Sequence, residues 1–165
     1  MQGTLKHANH AFESFYNIDS KILILGSFPS VKSRENGFYY MNKTNRFWSV
    51  LSNIYNEDFI NINIDKKKEL LNKYHIALSD CIYECDIIGS SDSSITNIKL
   101  MDIDTIINNS NIEYIYCNGN KSYELFIKYF NKYNNIVTKL PSTSAANAKM
   151  RLDDLIKEWK EIKNE

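Results

Sequence analysis

Four short apolar runs recur along the chain, and each is closed by a residue that breaks regular structure. Residues 21–25 (KILIL) are apolar after the lysine and run into Gly26, as in a strand buried on both faces. Residues 76–81 form a second, more polar run. Residues 112–117 form a third, leading into the turn signal Asn118-Gly119-Asn120, and residues 135–140 form a fourth, halted by Pro141. Between these runs the apolar positions spread to a helical period. Phe47, Val50, Leu51 and Ile54 fall at i, i+3, i+4 and i+7, as do Tyr123, Phe126, Ile127 and Phe130, and again Leu152, Leu155, Ile156 and Trp159.

Strands separated by helices require crossover connections, and these put helices on both faces of a parallel sheet. The expected class is therefore α/β: a three-layer α/β/α sandwich around a central, mostly parallel four-stranded sheet. A chain of 165 residues suits one domain over 1–165. There is no internal repeat and no low-complexity linker; residues 89–94 (GSSDSS) read as a surface loop. Ligands of such sheets sit beyond the carboxyl ends of the strands. Residues 26–30, 80–85, 118–120 and 141–147 should then converge although they are far apart in sequence.

Composition narrows this picture only modestly. Hydrophobic residues make up 43% and charged residues 24%, ordinary for a globular domain. No apolar run is long enough to span a membrane and the start carries no apolar leader, so a soluble, intracellular monomer is expected. Twenty basic residues offset twenty acidic ones, which gives no global signal for nucleic acid, although an average conceals local patches. Cys81, Cys85 and Cys117 cannot all pair, and Cys81-x-x-x-Cys85 with His75 is poor metal spacing. They read as reduced structural thiols, with no metal.

The candidate chemistry lies at the strand ends. Gly26-Ser27-Phe28-Pro29-Ser30 is a turn that can offer backbone amides to a ligand, and Phe28, Phe38, Tyr39 and Tyr40 offer flat faces to a planar ring. Each aromatic could equally plug the core. Asn45 can orient a water through its carboxamide, or cap the helix that begins near Arg46. Ser142, Thr143, Ser144 and Asn147 can donate to phosphates, or simply start a helix. Asp80 and Asp92 are the acids at these ends. Asp80 is the candidate for electrostatic support of a cation, while Asp92 reads better as a cap or a solvated side chain. His7 and His10 fall in no motif and receive no role.

The segments LGSFPS (25–30), GFYY (37–40) and NRFW (45–48) together resemble the hypoxanthine-DNA glycosylases, a branch of the uracil-DNA glycosylase superfamily. The likeness continues through LSDCIYECDIIGSSDSSI (78–95), NGNKSYELF (118–126) and LPSTSAANA (140–148), in order and over nearly the whole chain. The resemblance implies that the essential Asn of NRFW is Asn45, since Phe28 occupies the place where mismatch-specific uracil glycosylases hold water with an Asn. It also implies a base pocket of Gly26, Ser27, Phe28, Tyr39, Tyr40 and Asn118, and a DNA-entering loop with Ser142, Thr143, Ser144 and Asn147. Two departures stand out. Asn42-Lys43 replaces the usual His-Pro, and Ala145 replaces the usual Pro of the loop.

The resemblance thus implies base-excision hydrolysis of the N-glycosidic bond of a deaminated base, hypoxanthine and also uracil or xanthine, in double- or single-stranded DNA. The expected enzyme is monofunctional, because no lysine is placed for Schiff-base chemistry, and it uses neither metal nor organic cofactor. Two alternatives remain open: a mismatch-specific uracil-DNA glycosylase, and an inactive nucleotide- or lesion-binding module of the same fold.

Overall fold

A computed structural model describes residues 3–164; residues 1, 2 and 165 of the expected domain lie outside the described residues. Along the chain run β1 (Leu5–Asn9), β2 (Ile22–Gly26), α1 (Val31–Asn36), α2 (Phe47–Tyr55), α3 (Ile64–Lys73), β3 (Ile76–Asp80), β4 (Ile82–Ile88), β5 (Thr96–Leu100), α4 (Ile103–Asn108), β6 (Tyr114–Asn118), α5 (Asn120–Tyr129), β7 (Val137–Leu140) and α6 (Leu152–Trp159).

All four expected strands form and pair in parallel, in the order β3-β2-β6-β7. Alternation along β2 divides the core. Ile22 and Ile24 pack with Phe47, Leu51, Leu71, Leu155 and Trp159 of α2, α3 and α6, whereas Leu23 and Leu25 pack with Ile103, Ile106, Leu125 and Phe126 of α4 and α5. The fold is the expected three-layer sandwich. Phe15 pairs with Leu78 through two backbone hydrogen bonds of 2.9 Å and so covers the outer edge of β3.

The sequence did not announce the second sheet. β1, β4 and β5 form a three-stranded antiparallel sheet whose inner residues Ile82, Cys85 and Ile87 join the α4–α5 side of the core. Its alternation is interrupted because the β4–β5 register shifts between Ile82 and Glu84 and again before Asp86. Helix α5 also buries a slightly different stripe from the one expected. Ser122, Leu125 and Phe126 face inward while Ile127 is 37% exposed, so Leu125 takes the place predicted for Ile127.

Candidate active site

The carboxyl ends of β2, β3 and β6 and the segment after β7 meet around one cavity of about 150 Å³, the size that accommodates a single aromatic ring. Residues 26–30, Tyr39, Tyr40, Asn45, Asp80, Asn118 and 142–145 all line it. Two glycines permit this convergence. A β-carbon on Gly26 would lie 2.5 Å from Asp80 Oδ1, and one on Gly119 (φ 95°) would lie 3.0 Å from Ser142 Cβ. Of the expected site residues only Asn147 does not line the cavity; its amide donates to the Ser142 carbonyl at 3.0 Å and braces the loop from behind.

A chain of hydrogen bonds fixes the two asparagines. The Thr143 backbone amide donates to Asn118 Oδ1 (3.0 Å), and Asn118 Nδ2 donates to Thr143 Oγ1 (3.0 Å). That hydroxyl donates in turn to Asn45 Oδ1 at 2.8 Å, and the Phe47 amide donates to the same oxygen at 2.9 Å. Asn45 Oδ1 therefore has both lone pairs engaged, and Nδ2 is the group left for a ligand. Asn45 satisfies the first amide of α2 through its oxygen and also lines the cavity. Thr143 is fully buried with its hydroxyl and amide spent on Asn45 and Asn118. It positions these amides and has no surface from which to reach a phosphate.

The aromatic residues divide into wall and support. Tyr40 stacks on Phe47 with centroids 3.9 Å apart, and the Arg34 guanidinium lies 5.3 Å from the centre of the Phe28 ring. Tyr39 is only 2% exposed and is boxed by Phe12, Phe38 and His10, so it backs the pocket more than it walls it. Neither the Tyr39 nor the Tyr40 hydroxyl has a partner at strict hydrogen-bonding geometry, although Ser14 and Ser79 lie beside the former and Asn118 beside the latter. Burial pushes both phenols well above their ordinary range, so they stay protonated and can donate.

Asp80 carries the main surprise. Its Oδ2 lies 2.8 Å from His10 Nε2, with the two side chains 5% and 0% exposed. One oxygen of the carboxylate that the sequence offered to a cation is therefore taken up by His10. Asp92, read from sequence as a cap or a solvated group, is exposed at the start of a short turn and also accepts a 2.6 Å hydrogen bond from Ser27 Oγ at the cavity rim. Desolvation on that inner side raises its carboxyl above the usual range, against the opposing hydrogen bond from Ser27. No local pattern could have revealed His10, whose partner stands seventy residues away. Asp92 was detectable, since it lies inside a matching segment.

Where the family has a proline, the loop after β7 is held by hydrogen bonds. Arg46 donates to the carbonyls of Thr143, Ser144, Asn147 and Met150. Ser142 Oγ accepts from the Ser144 amide (3.1 Å) and Ser144 Oγ from the Ala146 amide (3.2 Å), so each hydroxyl keeps a proton to donate outward. At the other departure, Asn42 Oδ1 accepts from the Thr44 amide (3.0 Å) and hydroxyl (2.8 Å), which sets the turn before Asn45.

All three cysteines are free and buried. Burial raises Cys85 to about 11 and Cys117 to about 12, and raises Cys81 well above its usual value, so none is a nucleophile at neutral pH. His75 precedes β3 and Cys81 follows it, so the strand holds these two apart. Among the described residues no cluster of three His, Cys, Asp or Glu side chains is disposed to hold a metal, and no helix is long and apolar enough to cross a membrane.

Comparison with known proteins gives this geometry a context. The family model described as the uracil DNA glycosylase superfamily matches residues 13–163. A hypoxanthine DNA glycosylase from Methanosarcina acetivorans is 30% identical over 139 residues, covering 82% of this chain and 86% of that protein. One from Methanosarcina barkeri is 31% identical over 107 residues, covering 64% and 68%. The solution NMR structure of a candidate uracil DNA glycosylase from M. acetivorans superposes with a TM-score of 0.77 at 25% identity, covering 99% of each chain.

Proposed function

The chain belongs to the uracil-DNA glycosylase superfamily, and from that membership and its ring-sized cavity we propose that it hydrolyses the N-glycosidic bond of a deaminated base in DNA, hypoxanthine first, to leave an abasic site. The observation that carries the proposal is the Asn45 carboxamide, whose oxygen is saturated by Phe47 and Thr143 so that one amide nitrogen remains for the cavity.

The base first leaves the stack at a cost of a few kcal/mol, least for a poorly paired base. Phe28 and Tyr40 enclose the extruded ring. Asn45 Nδ2 donates to one lone pair of a water and leaves the other free to attack the anomeric carbon. So mild an activation suffices because the sugar already has oxocarbenium character as the bond breaks. The bond's electron pair departs on the base, where the Tyr40 hydroxyl and the remaining Asn118 amide hydrogen oppose the growing charge. Hydrolysis places hydroxide on the sugar and a proton on the base. Ser142 and Ser144 hold flanking phosphates, within a monomer acting in the compartment that contains DNA.

No lysine lines the cavity among the described residues, which supports a monofunctional enzyme. The test is a duplex with one deoxyinosine, incubated with excess protein and then treated with hot alkali. The strand should break at that position only after alkali. Breakage before alkali contradicts the monofunctional mechanism, and an intact strand after it contradicts hypoxanthine as the substrate.

A further inference from the structure

His10 belongs to no motif, yet both of its ring nitrogens are engaged and its ring is buried behind the cavity. It follows β1, its backbone amide donates to the Tyr83 carbonyl of β4, and its ring is packed among Phe12, Phe28 and Tyr39 at centroid distances of 4.6, 6.1 and 5.7 Å. Nδ1 lies 2.7 Å from the Phe12 carbonyl, which can only accept, so Nδ1 carries a proton. Nε2 lies 2.8 Å from Asp80 Oδ2, and that contact requires one further proton. Wherever the second proton resides, the pair is electrically neutral. It also occupies the Oδ2 side of the carboxylate, leaving Oδ1 toward Gly26 as an acceptor only.

Such an arrangement is poorly explained by stability. A buried histidine–carboxylate pair is commonly replaced by well-packed apolar residues at no loss or even a gain. The site nonetheless places this pair where a base would leave with its electron pair. A bare carboxylate there would repel the charge developing on the base.

We infer that His10 is a positioning residue of the base cavity: it turns one oxygen of Asp80 toward the bound ring and cancels the charge that Asp80 would otherwise set against the departing base. This rests on the glycosylase reading above. An acceptor without net charge suits a ring N–H, present on hypoxanthine and uracil, and does not oppose bond cleavage.

The experiment measures single-turnover cleavage of a deoxyinosine duplex alongside binding to the same duplex. His10→Gln keeps a donor to Oδ2 but removes the pair's second proton, which leaves Asp80 a bare carboxylate. The rate should fall about a hundredfold, the order expected of one uncompensated charge a few ångströms from the reacting bond in a partly buried site, while the half-saturating protein concentration stays within a few-fold. Adding Asp80→Asn to His10→Gln removes the uncompensated charge and should recover most of the lost rate. A purely structural role predicts that His10→Gln cleaves like the wild type. That result, or a defect confined to binding, or a double variant no faster than the single one, overturns the inference while leaving the glycosylase reading intact. A wild type inactive on deoxyinosine overturns both.

Discussion

At the residue scale the account turns on what remains unspent. The oxygen of Asn45 serves the fold and its amide nitrogen is left for a ligand. Replacing Asn45 with Ala should therefore slow single-turnover cleavage roughly a hundredfold to a thousandfold, as loss of one hydrogen bond in the transition state does. It should also cost about 1 kcal/mol of stability through the lost hydrogen bond to the first amide of α2. Binding to an abasic duplex should hardly change. Thr143→Val tests the support behind it. The shape is kept, but Asn45 Oδ1 and Asn118 Nδ2 each lose a partner, so chemical denaturation should report a loss of about 1–3 kcal/mol. Cleavage should fall with it, and normal cleavage by a folded Thr143→Val protein would separate Thr143 from the mechanism. The positions of Asn45 and Asn118 at the cavity were legible because the first opens the NRFW segment before α2 and the second ends β6. The hydroxyl that joins them was misread as a phosphate donor, since sequence does not reveal that Thr143 is buried.

At the scale of elements, continuous runs were readable and interrupted ones were not. β2 is apolar throughout because helices cover both its faces, and that leaves an unambiguous signature. β1 is mostly exposed and β4 changes register twice, so neither carries a clean period. α3 was hidden by its lysines. One of them, Lys67, is only 5% exposed, donates to the Ile60 and Ile62 carbonyls, and sits over Trp48, so it acts as a core residue with a charged tip. The β1–β4 pairing has a pH dependence of definite sign. His7 lies 2.9 Å from Asp86 and 2.8 Å from Glu84, and hydrogen bonds to Asp86 and then Glu84 raise its pKa above 6.5. A raised folded-state value means that this stabilisation is complete below the unfolded value and is lost as pH rises through the folded one. Urea midpoints of the wild type should thus decline relative to those of His7→Gln as pH rises above the ordinary histidine value of about 6.5. Parallel curves would show that the bridge contributes nothing, a common result for exposed pairs.

At the scale of the molecule, a chain with no net charge acts on a polyanion by a small, well-placed contact surface. On the proposed reading, two serine hydroxyls on a loop clamped by Arg46 would meet the phosphates, and specificity would be left to the cavity. Hypoxanthine presents a carbonyl acceptor and a ring N–H donor. On the proposed reading, the Tyr40 hydroxyl beside Asn118 and the Asp80 oxygen would supply the complementary donor and acceptor. Adenine reverses both groups, and leaving two buried polar groups unpaired at about 1–3 kcal/mol each would exclude it. Guanine shares hypoxanthine's edge but adds an amino group that a ring-sized cavity has little room to admit. Uracil shares the edge but stacks less. The most direct test is mass-spectrometric detection of free bases released from matched duplexes carrying hypoxanthine, uracil opposite guanine, adenine or guanine at one site. The account predicts hypoxanthine released fastest, uracil more slowly, and no adenine or guanine; ready release of uracil with deoxyinosine untouched would contradict it.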